Sequence, residues 1–171
     1  MRRTVAAFIA AAAIVPVAPA LWAADKAPGI VRHENATPSP IARAIEVPAS
    51  FRIVYHSGLT PQPADPKAPQ GTPEYWGNTK TQSQSVLTRL QESLKSMGYG
   101  FGDVVKMTVF LAGDPATGGR MDFAGFMEAY SQYFGTKEQP NKPARSTVQV
   151  AALVQPGMLV EIEVIAAKPG P

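Results

Sequence analysis

Side chains able to do chemistry are few in this sequence. It has no cysteine and two histidines, His33 and His56. That excludes thiolate nucleophiles, disulfide frameworks, zinc–thiolate sites and iron–sulfur clusters, and leaves little for a metal site of any kind. What remains is an arginine and a pair of acids. Arg145 opens a β-rich run after Pro143-Ala144; its planar guanidinium offers paired donors that match a carboxylate. On the residues alone the plainer alternative stays open, an arginine at a strand end that is solvated or paired with Glu138 or Asp103. Glu161 and Glu163 alternate with Val160, Ile162 and Val164, so both acids point to one sheet face beside Leu159 and Ile165. A carboxylate held beside apolar neighbours can exchange protons with water, but alternation cannot say which of the two does so.

Positioning these groups requires an α+β layer. Two short β-rich runs, residues 42–47 and 51–56, read as a hairpin about Pro48-Ala49-Ser50, with Ser57-Gly58 closing the second. Residues 59–78 carry so many prolines and glycines that a long surface loop without regular structure is expected, Tyr75 and Trp76 near its end packing onto the domain. Asn78 can cap a helix running to Met97 on the stripe Val86, Leu87, Leu90, Leu94, Met97. Residues 104–111 read as a strand buried on both faces. A second helix over 122–134 presents an unusually aromatic face, Phe123, Phe126, Met127, Tyr130 and Phe134. Strands over 145–153 and 158–166 complete the domain, with both helices free to cover one face of one sheet. The bare face needs another partner, and self-association is the usual answer.

The N-terminus reads differently. Arg2-Arg3, an apolar run from Val5 to Ala20 broken by Pro16 and Pro19, and a small-residue exit form the pattern of a secretory signal over residues 1–24. The run is too short and too interrupted to span a bilayer. Cleavage after Ala20, Ala23 or Ala24 is expected to release a periplasmic or secreted protein with no stable membrane association, its residues 25–40 an extended arm. Loss of Arg2 and Arg3 lowers the formal net charge of +3 by two. With no basic run interleaved with aromatics in the mature chain, a nucleic-acid footprint is not expected. With 45% apolar residues and 171 positions the chain can bury one core.

Several segments resemble the reactive intermediate deaminase family, also called Rid or YjgF. They are Ser57-Gly58, the run from Gly102-Asp103-Val104 to Leu111, Asp122-Phe123-Ala124, Tyr130 with Tyr133-Phe134, Pro143-Ala144-Arg145-Ser146-Thr147-Val148, and Val160-Glu161-Ile162-Glu163 through Ala166. They stand in family order over roughly residues 41–167, leaving 168–171 as a tail. The resemblance implies a chorismate-mutase-like protomer, one mixed sheet covered by two helices, in a trimeric barrel with sites between subunits. It also implies cofactor-free hydrolysis of enamines and imines of 2-amino acids to 2-keto acids and ammonium. Arg145 then matches the arginine that holds the substrate carboxylate, and Glu161 the acid that positions water. Ser57, Gly58 and Thr147 match ligand-contacting positions, with Phe126, Met127 and Ile41 lining the site. Two residues depart from the pattern: Ile41 stands where a tyrosine is common and Met127 where an asparagine is common, and both make the pocket more apolar.

The leading expectation is an exported imine deaminase acting on small 2-imino acids. The alternative is a trimeric module that binds a small carboxylate without turnover, and a third, ribonuclease activity, is disfavoured by the charge pattern.

Overall fold

A computed structural model describes residues 29–170; the leader expected over 1–24 lies outside them. Four strands form one mixed sheet: β3 (Phe51–Leu59), β4 (Val104–Ala112), β5 (Ala144–Val150) and β6 (Val160–Pro169). Their order is β3-β6-β4-β5. The C-terminal strand therefore lies inside the sheet, antiparallel to both β3 and β4, while β4 and β5 pair in parallel. Helix α2 (Thr79–Ser96) connects β3 to β4 and helix α3 (Phe123–Tyr130) connects β4 to β5. Both connections leave and re-enter the sheet in the same direction, so the two helices cover it.

Asn78 caps α2 by accepting from Thr81 N at 2.9 Å, and Asp122 caps α3 by accepting from Gly125 N at 2.9 Å. Val86, Leu87, Leu90 and Leu94 of α2 meet Phe126 and Tyr130 of α3 over Met107, Val109, Leu111, Ile162 and Val164 of the sheet. Helix α3 is shorter than its aromatic period suggests, stopping at Tyr130, while Phe134 still reaches the core from the following turn. Met97, the last residue of the expected α2 stripe, falls beyond the helix and is exposed.

The expected hairpin does not form. Ala44–Glu46, β2, pairs with a strand inside the expected arm, Val31–His33, β1, whereas β3 pairs with β6. Pro48 and the two residues after it separate two sheets rather than turn within one. What holds the arm is invisible to local pattern: the Arg32 guanidinium donates to the carbonyls of Val104, Lys142 and Gly102, at 3.1, 2.9 and 2.8 Å. Burial lowers its pKa, an effect offset in part by Asp103. At the other end, β6 runs on through Lys168 and Pro169, which face Arg52 and Phe51, so the first two residues of the expected tail are strand.

The segment 59–78 is not wholly irregular either. Thr72 accepts from Tyr75 N and Pro73 occupies the first helical position, giving the single turn α1 (Pro73–Trp76). Trp76 packs down as expected, buried, with Nε1 donating to Pro156 O at 2.8 Å. Strand β4 is sealed on the helix side alone; Lys106, Thr108 and Phe110 on its other face are only half-buried. That open face also carries Ile53, Val148 and Tyr55, the last 75% exposed.

Candidate active site

Arg145 is the second residue of β5, and its register partner Met107 lies on the helix-covered face. Its guanidinium stacks over α3, with its carbon 4.3 Å from the centre of the Tyr130 ring, 5.0 Å from Phe126 and 5.7 Å from Phe123. The ring faces stabilise the cation without neutralising it. Nη2 donates to Met127 Sδ at 3.2 Å, and Nη1 is buried with no hydrogen-bond partner. Among the described residues no acid answers the charge: Glu138 is exposed, and Asp103 accepts from Gly100 N at 2.8 Å. The pairing alternatives for Arg145 therefore fail. Burial depresses its pKa, opposed by Tyr130; burial likewise pushes the Tyr130 phenol up to about 12, with Arg145 pulling the other way.

The remaining expected contacts on this face gather around the arginine. Thr147, two residues along β5, faces the same way and its Oγ1 is buried without a partner. Ile41 sits where the chain joins the start of β5, between the Tyr130 hydroxyl donating to Pro40 O at 3.0 Å and the Ala42 amide donating to Pro143 O at 3.0 Å. Phe126 and Met127 form the floor. Tyr130 and Phe123 belong to this site as much as those residues do. Their signal was the aromatic stripe of α3, which reads as core until a cation is found above it.

Ser57, Gly58 and Glu161 form a second cluster. Between His56 and Leu59, β3 takes three steps while β6 takes two, from Val164 to Ile162; the extra residue is a β-bulge at Ser57-Gly58, so the strand continues through the expected stop. A Cβ on residue 58 would collide with the Glu161 carboxylate, which makes glycine the residue that lets this acid lie against the main chain. The bulge is pinned by His56, whose Nδ1 donates to Ser57 O at 2.7 Å while Nε2 accepts from Ser93 on α2 at 2.8 Å. Glu161 is half-buried; Glu163 is exposed and lines a shallow hollow of about 130 Å³ with Tyr55, Lys106 and Thr108. The bulge thus separates two acids that alternation left equivalent.

The two clusters do not meet within one chain. Glu161 stands opposite Phe110, which stands opposite Val148, all on the open face, whereas Arg145 points to the helices. Two strand spacings and three residues separate them along the sheet, about 14 Å, and they lie on opposite sides of it. A cavity of about 610 Å³ lies elsewhere, between α1, Asp114 and residues 151–159, and neither Arg145 nor Glu161 lines it. A site built on both needs two copies of the chain.

The family model described as Endoribonuclease L-PSP matches residues 35–168. A RutC family protein of Pyrococcus horikoshii is 34% identical over 139 residues, 81% of this chain and 97% of that one. The 2-iminobutanoate/2-iminopropanoate deaminase of Mus musculus is 37% identical over 129 residues, 75% of this chain and 82% of that one. Among solved structures, the Rid family protein YyfB of Yersinia pestis superposes with a TM-score of 0.61 at 25% identity, covering 82% of this chain and all of that one. The YjgF-like α+β architecture and these likenesses agree: the chain belongs to the Endoribonuclease L-PSP family, that is, the Rid/YjgF family.

Proposed function

We propose that this protein hydrolyses the imines of small 2-amino acids to 2-keto acids and ammonium, in the periplasm, as a homotrimer with sites between subunits. The observation that carries this reading is the half-buried Arg145 guanidinium, stacked on three rings and matched by no acid among the described residues. A cation held this way lacks the carboxylate that would offset its desolvation, and a substrate carboxylate supplies it. The mouse relative's name supports the substrate class, since 2-iminobutanoate and 2-iminopropanoate carry such a carboxylate beside a C=N bond.

With the carboxylate on Arg145 of one protomer, the imine carbon faces the open sheet of its neighbour, where Glu161 stands against Gly58. Water adds its oxygen to that carbon while the C=N electron pair moves to nitrogen. Glu161 accepts the proton the water loses and returns it to nitrogen. Glu161 then relays the hydroxyl proton of the resulting carbinolamine to its nitrogen, the C–N bond breaks as the hydroxyl becomes the carbonyl, and ammonia leaves, taking a further proton from water to become ammonium. The split of Arg145 and Glu161 between opposite sheet faces also favours a second reading, a carboxylate-binding module in which the arginine half works alone.

Two substitutions distinguish them. Arg145→Ala is expected to abolish both turnover of 2-iminobutanoate generated in place and calorimetric binding of 2-ketobutyrate, because the paired bonds hold ground state and transition state alike. Glu161→Gln is expected to keep most of the keto-acid affinity and slow hydrolysis by a factor on the order of 10² to 10⁴. Wild-type binding without acceleration over the spontaneous rate selects the binding module. Wild-type turnover in Arg145→Ala refutes the site. For export, mass spectrometry of periplasmic protein is expected to find an N-terminus between Leu21 and Asp25; an intact Met1 refutes it.

A further inference from the structure

The Arg145 fork already has an occupant. Met127 Sδ lies 3.2 Å from Nη2, taking up one of the donors a bidentate carboxylate would use, and the neighbouring Nη1 is buried without a partner. A thioether is a weak acceptor, so an incoming carboxylate displaces it at little cost. The same sulfur carrying an oxygen would be a strong, negatively polarised acceptor already placed at the fork. We propose that Met127 is a reversible oxidation site that closes the carboxylate subsite, a proposal that rests on the reading of Arg145 as the anion-binding residue.

The oxidant is a peroxide. The sulfur lone pair attacks one peroxide oxygen, the O–O bond breaks, an S–O bond forms, and the other oxygen leaves as water or an alcohol after taking up the proton. Sulfur is oxidised by two electrons and the peroxide reduced by two. The product is methionine sulfoxide, which the sulfoxide reductases restore to methionine. Its oxygen accepts from Nη2 or from the unpaired Nη1 and competes directly with the substrate carboxylate.

Reach and placement single out this methionine. Met107 is fully buried and Met158 nearly so; Met97 is exposed but lies at the C-terminal end of α2; Met121 is half-buried ahead of α3 and its amide donates to Gln149. Met127 is half-buried and touches a charge the proposed reaction uses. Oxidation elsewhere changes polarity; oxidation here supplies a ligand.

The experiment treats the purified protein with hydrogen peroxide, follows each methionine by peptide mass spectrometry, and measures 2-ketobutyrate binding by calorimetry before and after. The expected result is conversion of Met127 with a loss of affinity of about tenfold or more, restored by sulfoxide reductase. In Met127→Leu, whatever its own affinity, treatment should leave that affinity unchanged even though Met97 is oxidised. Full conversion of Met127 with unaltered binding overturns the proposal, as does a Met127 that stays reduced while Met97 converts, or a loss of binding that persists in Met127→Leu. If the untreated protein does not bind 2-ketobutyrate, the anion-site reading of Arg145 fails first and this proposal falls with it, a result distinct from the other three.

Discussion

Arg145 shows how much one residue's role depends on what lies beneath it. The motif around it was legible in sequence, and so was the aromatic stripe of α3. Their meeting was not, because a helical period says which residues share a face and never which strand that face covers. Likewise the choice between Glu161 and Glu163 rests on a bulge, and a bulge changes the count of one strand only relative to its partner. Tyr130 carries a separate consequence. Its phenol titrates near 12 rather than 10, chiefly through burial. A raised folded-state pKa leaves its contribution intact below about pH 10, where folded and unfolded chains are both protonated. It is lost between about 10 and 12, where only the unfolded chain ionises. Thermal melts across that range should therefore show wild type losing roughly 2 to 3 kcal/mol more than Tyr130→Phe, whose slope lacks this component. Equal slopes would show that Tyr130 ionises as freely folded as unfolded.

Among the elements, α2, α3 and β4 were readable in place because an apolar period runs within each and a capping side chain starts both helices, whereas the end of each helix and the open face of β4 were not. The small sheet and the turn α1 were not, since each depends on a partner distant in sequence: β1 on the carbonyls gripped by Arg32, α1 on Trp76 reaching Pro156. The contact between α1 and residues 155–158 is unusually tight. Gly157 has φ of +81°, and a Cβ there would stand 2.5 Å from Trp76 Cδ1 and 2.7 Å from Gly71 O. Gly157→Ala therefore combines left-handed strain with a backbone clash, for an expected cost of about 2 kcal/mol or more in chemical denaturation and faster proteolysis within 59–78. A variant as stable as wild type would mean that this corner yields without cost.

At the scale of the whole molecule, the sheet is half-covered. Ile53, Tyr55, Phe110 and Val148 lie on its open side with Lys106 and Glu163 among them, and self-association is the proposed cover. Tyr55→Glu, a charge in the middle of that face and distant from Arg145, is expected to shift light-scattering mass from trimer to monomer at micromolar concentration and to abolish turnover with the assembly. A trimer that survives the substitution would place the interface elsewhere. The strand order carries one more consequence, for the time course of folding. β3 and β4 are joined only through β6, the last strand of the chain. Until residues 160–169 are available, the rest of the sheet is one parallel pair, β4–β5, and an isolated β3. The two central pairings, β3–β6 and β4–β6, are also those of greatest sequence separation within this sheet, so they are the slowest to close. The four-stranded sheet is therefore expected to close only once residues 160–169 have been made, whatever the helices and the β4–β5 pair do before then.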